Sequence, residues 1–429
     1  MADLRTIKQV HFVGIGGIGM SALAQLFEKA GKIVSGSDRE ASPLTKLLSE
    51  KHILIFISHD AAHVPAGTEL IVYTDAVPAD NVERVRGRER GIPEISYAQA
   101  LGAATRDYTL IAVSGSHGKT TTTAMIVDVL EAGGLDPTAV IGSLRAKTQS
   151  NFRRGESTYA VAEADEYKRH FLFLNPHILV ITNVDTDHLD YFKDLAGIQS
   201  AFRELAQKVP RDGCIICDPK EAAVKPIVVD IPVRIVDYTD FIDPKLALRV
   251  PGEHNIRNAA AALAVADILK ISSDTACTAL KDFSGTWRRF EYKGTTKGGA
   301  LVYDDYAHHP TEIRATLKAA REQFPSKKIV VAFQPHLYSR IRLLLNDFAR
   351  AFGDADEVVI APIYAAREID DGSISSEVLA ERIDKQGKRA RALPFREIEE
   401  YARTLHNTNV FMTMGAGDIY LVAESLTKQ

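Results

Sequence analysis

The 429-residue chain holds only three cysteines and one tryptophan, and it lacks any long uninterrupted apolar run. Cys214, Cys217 and Cys277 are too few for a disulfide framework. Cys214 and Cys217 have the spacing of a redox or metal pair. They flank Ile215 and Ile216 in an apolar stretch with no second pair after them, however, which predicts buried thiols in a strand. No stretch reaches the length of a membrane span, and residues 1–9 are polar without the apolar core of a secretion signal, so a reducing cytoplasm and no membrane insertion are expected. A formal net charge of −4 leaves no electrostatic reason to invoke nucleic acid. Internal repeats, low-complexity segments and the Asn-Lys-x-Asp guanine signature are all missing.

What is present is the composition of an ordinary soluble globular protein, 45% hydrophobic and 25% charged, in a chain too long for one core. Length suggests about three domains. The stretch that organises them is Val113-Ser114-Gly115-Ser116-His117-Gly118-Lys119-Thr120-Thr121. An apolar run from Thr109 to Val113 enters it as a strand, and a helical pattern with Met125, Ile126, Val129 and Leu130 leaves it, ending at Gly133-Gly134. Glycines there let backbone N–H groups converge on phosphate oxygens, and the helix N-terminus adds its positive dipole end. The loop is a variant, with Val113 where the usual first glycine stands. ATP binding is expected, with Lys119 on the β- and γ-phosphates and the Thr120 hydroxyl on Mg²⁺.

A second glycine motif lies at the front. Val10 to Val13 read as a strand leading into Gly14-Ile15-Gly16-Gly17-Ile18-Gly19, followed by a helix and, beyond the next strand, Asp38. Alone this is a dinucleotide fingerprint with an acid placed for a ribose. The unit ends near residue 105, though, which is short for the full six-stranded fold and suits one nucleotide, such as the pyrophosphate of a UDP-sugar. Gly14, Gly16, Gly17, Gly19 and Asp38 are therefore expected to bind the UDP-substrate.

Behind the phosphate loop, a strand at Tyr159 to Ala162 ends in Glu163-Ala164-Asp165-Glu166, and one at Ile178 to Ile181 ends in Thr182-Asn183-Val184-Asp185-Thr186-Asp187-His188. Ligands of parallel α/β sheets sit beyond the carboxyl ends of strands, so both clusters are expected at the nucleotide. Glu163 is placed to share Mg²⁺ with Thr120, and His188 to hold a second metal, although Mg²⁺ prefers oxygen ligands. Asn255 and Asn258 have side chains that can bond an adenine edge, while Asn255 can equally cap the alanine-rich helix. Lys293 to Gly299 reads as a linker. After it come strands at Leu301–Tyr303, 329–333, 358–361 and 410–412, each followed by polar residues, with Arg340 offering a fork for a carboxylate.

Several of these motifs occur together and in order: the short loop from Gly115 to Thr121, Glu163 to Glu166, Asp187-His188-Leu189-Asp190, His254-Asn255 with Asn258, and Asp304-Asp305-Tyr306-Ala307-His308-His309-Pro310. Over nearly its whole length the chain resembles the Mur ligase family, ATP-dependent enzymes that extend the peptidoglycan precursor. The resemblance is strongest to members that add L-alanine to UDP-N-acetylmuramate, through Gly14 to Met20 and through Gln334-Pro335-His336 ahead of Ser339-Arg340. It implies an α/β protein of three domains: a Rossmann-like UDP-substrate-binding unit (1–105), a central P-loop ATPase with a mostly parallel sheet (106–294), and a Rossmann-like amino-acid-side domain (295–429) that swings to bring in the amino acid. The implied reaction phosphorylates the lactyl carboxylate with ATP, and the alanine amine then displaces phosphate.

By the same resemblance Gly115, Ser116, His117, Gly118, Lys119, Thr120 and Thr121 hold ATP. Asn255, Asn258 and Arg289 contact the nucleotide, and Asp304 lies near the ribose. Thr120, Glu163 and His188 bind metal, while Tyr306, His308 and Arg340 face the amino acid and the transferred phosphate. Lys119, His188, His308 and Arg340 are the expected catalytic set. His308 is expected either to help deprotonate the alanine ammonium, since imidazole titrates near neutrality, or only to position it. Two departures stand out: Leu337 occupies a position where many members carry arginine, and only Arg203 and Lys208 lie where some sister ligases have a carboxylated lysine. The expected state is a monomer or weak homodimer.

Three other readings compete. A nucleotide-switch or binding protein uses the second glycine loop, but the guanine signature is missing. A nicotinamide-dependent oxidoreductase uses the first glycine loop but leaves the second idle. A ligase that recycles murein tripeptide shares both loops, and Gln334-Pro335-His336 argues against it.

Overall fold

The computed structural model describes residues 4–188, 191–366, 368–370 and 372–427, so Leu189 and Asp190 of the Asp-His motif lie outside the described residues. Among the described residues three sheets carry the fold. The first contains β1 (Gln9–Val13), β2 (Ile33–Asp38), β3 (Leu54–Ile57), β4 (Leu70–Tyr73) and β5 (Glu94–Ser96), all parallel, in the order 3-2-1-4-5. β1 sits at the centre, with Val10 opposite both Val34 and Leu70, which explains its nearly continuous apolar burial. The helix Ile18–Lys29 lies across the sheet, with Phe27 edge-on to Phe12 at 5.6 Å. It stops at Gly31, whose φ of +82° and N–H bond to the Glu28 carbonyl close the last turn.

The second sheet contains β6 (Thr109–Ser114), β7 (Thr138–Arg145), β8 (Ser150–Arg153), β9 (Tyr159–Glu163), β10 (Ile178–Ile181), β11 (Cys214–Cys217) and β12 (Arg234–Asp237), in the order 12-11-10-6-9-7-8. Among the described residues of this sheet only β8 runs antiparallel to its neighbour. β6 is flanked by β9 and β10, and the register sets Val113 opposite Glu163 and Ser114 opposite Ile181. Parallel pairing therefore delivers the phosphate loop, the Glu163 cluster and the Thr182 cluster to one edge. Cys214 and Cys217 are buried thiols in β11, as expected, and burial pushes both well above the usual cysteine range.

The third sheet contains β13 (Glu291–Thr295), β14 (Leu301–Asp305), β15 (Lys328–Phe333), β16 (Glu357–Ile360), β17 (Arg389–Ala392) and β18 (Asn409–Met414), in the order 13-14-18-15-16-17, with β13 alone antiparallel. Lys293 to Thr295, read as the start of a linker, instead complete β13 on the sheet edge. Alternation along β15 sends Val331 and Phe333 to one core layer and Val330 and Ala332 to the other.

The chain divides into two compact units. The first comprises Met1–Asp185, Leu195–Ile242 and Ala259–Leu280, with the first two sheets, and the second comprises Thr186–Asp194, Asp243–Asn258 and Lys281–Gln429, with the third. Among the described residues no helix is long and apolar enough to cross a membrane.

Candidate active site

In the first unit the phosphate loop leaves β6 through Gly115, at φ +133°, and enters the helix Lys119–Ala132 through Gly118, at φ +82°. Both angles favour glycine. A Cβ on Gly115 would also lie 2.0 Å from the Thr182 hydroxyl oxygen. The loop is pinned by the segment after β10: Ser116 N–H donates to the Asn183 carbonyl at 3.0 Å, His117 N–H to Asn183 Oδ1 at 3.0 Å, and Thr182 Oγ1 to the His117 carbonyl at 2.6 Å. The Asp185 N–H donates to Ser116 Oγ at 2.8 Å, and the His117 ring lies 3.1 Å from Asp185 Oδ2.

Lys119 is turned back into its own loop. Its Nζ donates to the Gly115 carbonyl at 2.6 Å and to the two carboxylate oxygens of Glu166 at 3.0 and 2.9 Å. Burial opposes the ammonium, but Glu166, with Asp165 and Glu163, outweighs burial and holds Lys119 above the usual lysine range. Thr120 donates to Glu163 Oε2 at 3.2 Å, and the Gly142 N–H donates to Glu163 Oε1 at 2.6 Å. The hydroxyl and carboxylate oxygens of Thr120 and Glu163 form a hard donor pair of the kind that suits Mg²⁺.

The front glycine loop is held from β2: Gly14 and Ile15 N–H both donate to the Ser37 carbonyl at 2.9 Å. Asp38 Oδ2 accepts the Gly16 N–H at 2.7 Å, so this acid braces the loop. A Cβ on Gly19 would lie 2.7 Å from the Tyr97 ring, whereas one on Gly17 would meet only ordinary contacts. Gly17 starts the helix Ile18–Lys29 without a side-chain cap, leaving first-turn N–H groups for an anion. Arg203 and Lys208 have structural partners: Arg203 donates to the Pro226, Ile227 and Val229 carbonyls, and Lys208 to that of Leu172.

In the second unit Arg340, His308, Tyr306, Asp187 and His188 come together. Arg340 Nη2 donates to Asp187 Oδ1 at 2.9 Å, while its Nη1 lies 3.3 Å from His336 Nδ1. Burial works against the Asp187 carboxylate, but Arg340 and the histidines His188, His309 and His308 outweigh it and hold it far below its ordinary range. His188, at φ +54°, lies 3.9 Å from Asp187. The His308 ring sits 5.3 Å from Tyr306 and 5.7 Å from His336, with Nδ1 3.0 Å from the Tyr306 carbonyl. Burial pushes His308 down to about 4, so it is a neutral, weakly basic imidazole, and the expectation that it titrates near neutrality is corrected. Leu337, 3% exposed at φ +68°, walls a small pocket with Asp187, His188, Arg340, Leu343 and Leu344.

Asn255 and Asn258 lie in the first turns of the helix Glu253–Ile268 and are buried. Asn255 donates to the Pro251 carbonyl at 2.7 Å, and Asn258 donates to Asn255 Oδ1 at 3.2 Å. Asn255 is inside the helix, so it is no N-cap. Asp304 is 1% exposed, accepting from Arg288 at 2.8 Å and from Thr413 at 2.5 Å, and the Arg289 guanidinium lies 5.0 Å over the Tyr306 ring. Sequence reasoning gave neither His336 nor Glu166 a role of its own, although Glu166 belongs to a cluster expected at the nucleotide. Their signal was position: His336 follows β15 as Tyr306 follows β14, and Glu166 follows β9 beside Glu163.

Three family models match this chain: the catalytic domain of the Mur ligase family over residues 9–109, the Mur ligase middle domain over 113–239, and the Mur ligase glutamate ligase domain over 288–422. A curated UDP-N-acetylmuramate–L-alanine ligase from Caldanaerobacter subterraneus subsp. tengcongensis is 42% identical, covering 100% of this chain and 99% of its own. The chain belongs to the Mur ligase family. Another relative of that name, from Alkaliphilus metalliredigens, is 40% identical over 99% of this chain and 98% of its own. Among solved structures, the UDP-N-acetylmuramate-alanine ligase MurC from Thermotoga maritima matches with a TM-score of 0.82 and 30% identity over 98% of each chain. A murein peptide ligase from Psychrobacter arcticus, at 24% identity and TM-score 0.74 over 98% of each chain, shares the fold. The three-domain α/β expectation agrees with the family and with the three sheets.

Proposed function

We infer that this chain joins L-alanine to the lactyl carboxylate of UDP-N-acetylmuramate at the expense of ATP, by way of an acyl phosphate, in peptidoglycan precursor synthesis. The observation that carries this reading is the match, at 42% and 40% identity over essentially full length, to ligases of that name. A carboxylate is a poor electrophile, and phosphorylation turns it into one from which phosphate departs when the amine attacks. Most of the work is positioning and charge stabilisation.

Lys119 would leave Glu166 to meet the β- and γ-phosphates, with the N–H groups from Gly115 to Thr121 around them. Thr120 and Glu163 would hold Mg²⁺, which when bound neutralises phosphate charge. His188 as a ligand of a second metal, and Asn255, Asn258, Arg289 and Asp304 as nucleotide contacts, are part of the same proposal. Arg340 would exchange Asp187 for the amino-acid carboxylate or the transferred phosphate, and His308, neutral at pH 7, would accept a hydrogen bond from the amine. A cytoplasmic location and a monomer or weak homodimer go with this reading.

The test is phosphate release with ATP and Mg²⁺, offering UDP-N-acetylmuramate with L-alanine or with a murein tripeptide. Release requiring the nucleotide sugar and L-alanine supports the proposal. Release only with the tripeptide would assign the chain to recycling, and release without any acceptor to simple ATP hydrolysis.

A further inference from the structure

Directly after Glu163-Ala164-Asp165-Glu166 the backbone does something costly. Lys168 and Arg169 are consecutive non-glycine residues in the left-handed region, at φ 49° and 61°, within the segment Tyr167–Phe173. Such a conformation persists only where its surroundings impose it. Here both ends are anchored. Arg169 N–H donates to the Glu166 carbonyl and Phe171 N–H to that of Asp165, both at 2.9 Å, and Phe171, 1% exposed, lies edge-on to Phe202. Gly102 lets the helix Tyr97–Ala104 close onto the far end, where a Cβ would lie 2.2 Å from the Phe173 carbonyl oxygen.

The strained turn presents two cations to one carboxylate. His170 Nε2 lies 2.9 Å and Lys168 Nζ 3.3 Å from Asp75 Oδ2, while the other ring nitrogen of His170 is 3.7 Å from Asp165. Burial opposes charge on His170, but Asp165 and Asp75 outweigh it and raise the imidazolium to about 9, while Asp75 is pulled down to about 2, chiefly by its bond to His170.

The place is as informative as the charges. Asp75 follows Thr74, whose N–H donates to the Val13 carbonyl at 3.2 Å and whose methyl would clash with any Cβ on Gly14. The cations therefore stand at the mouth of the front glycine loop. Tyr97, packed against Gly19, is held above the usual phenol range by burial, with Glu163 and Asp165 adding to it, so the phosphate-loop acids are close by. A substrate running from the glycine loop toward the phosphate loop would bring its anionic groups past this cluster.

We propose that Lys168 and His170 form a clamp for an anionic group of the UDP-sugar, and that Asp75 is its internal stand-in, displaced when the substrate oxyanion arrives. This rests on the UDP-sugar reading above. The oxyanion belongs either to the diphosphate or to the lactyl carboxylate, which are chemically equivalent to a pair of cations.

Titration calorimetry on the full chain distinguishes the cases, with UDP-N-acetylmuramate, which carries both groups, and UDP-N-acetylglucosamine, which carries only the diphosphate. H170Q is expected to weaken binding by roughly tenfold to a hundredfold, with H170R restoring most of it. D75N, which removes the internal competitor, is expected to tighten it. Equal loss for both ligands in H170Q places the diphosphate in the clamp, and loss for UDP-N-acetylmuramate alone places the carboxylate there. Unchanged affinity in H170Q, or weakening in both H170Q and D75N, would overturn the clamp while leaving the ligase reading intact. A wild-type chain that binds no UDP-sugar would overturn both.

Discussion

Arg340 and Asp187 stand 153 positions apart in the chain and meet in a hydrogen-bonded ion pair with both side chains more than nine-tenths buried. The guanidinium that the sequence offers to a substrate carboxylate is thus occupied by a carboxylate of the protein itself. Removing one partner leaves a buried charge alone, so Asp187→Asn is expected to lower stability by about 3 kcal/mol. Asp187 is depressed in the folded state, so its share is present above the unfolded value of roughly 3.9 and is lost as pH falls toward the folded one. Thermal melts from pH 3 to 7 should show the gap between wild type and variant narrowing below about pH 4. A constant gap down to pH 3 would contradict the pairing.

Lys119 and Glu166 pose a similar choice at the phosphate loop. Lys119→Met should cut phosphate release by about a hundredfold or more, and it strands Glu166, whose side chain is 2% exposed. The double variant Lys119→Met/Glu166→Gln should recover most of the lost stability and none of the activity. Recovery of turnover would show that Lys119 serves the fold alone.

Gly115→Ala combines a left-handed φ with a 2.0 Å approach to the Thr182 oxygen. ATP affinity should fall at least tenfold, because the loop must part from Thr182 to admit the methyl group. Gly17→Ala, where a Cβ meets nothing closer than 3.6 Å, should keep its fold with a change of less than about 0.5 kcal/mol. Nucleotide titrations and melts of the two variants check the contrast.

His308 carries no proton across the working range, because burial holds it at about 4. Any limb of the kcat profile near pH 6.5 should therefore survive His308→Asn unshifted, while the plateau falls about tenfold to a hundredfold from the lost hydrogen bond. Disappearance of that limb in the variant would assign it to His308 after all.

The strands that sequence reasoning passed over include β5, β8, β12, β13 and β17, and each lies at a sheet edge. An edge strand keeps a solvated side, so it needs no apolar run. β17 reads Arg-Ala-Arg-Ala and β13 Glu-Tyr-Lys-Gly-Thr. The central strands β1, β6, β10 and β15 are covered on both faces and announce themselves as apolar stretches.

Local chemistry made both glycine loops, the acids behind β9 and β10 and the polar turns after β14 and β15 readable in the amino-acid order, because turn geometry and strand periodicity depend on near neighbours. The partners of those groups were not readable there. Asp38 braces Gly16, Lys119 rests on Glu166, Arg340 is matched by Asp187, and burial removes the charge of His308. Pairing and desolvation depend on what distant strands bring alongside, and folding alone supplies that.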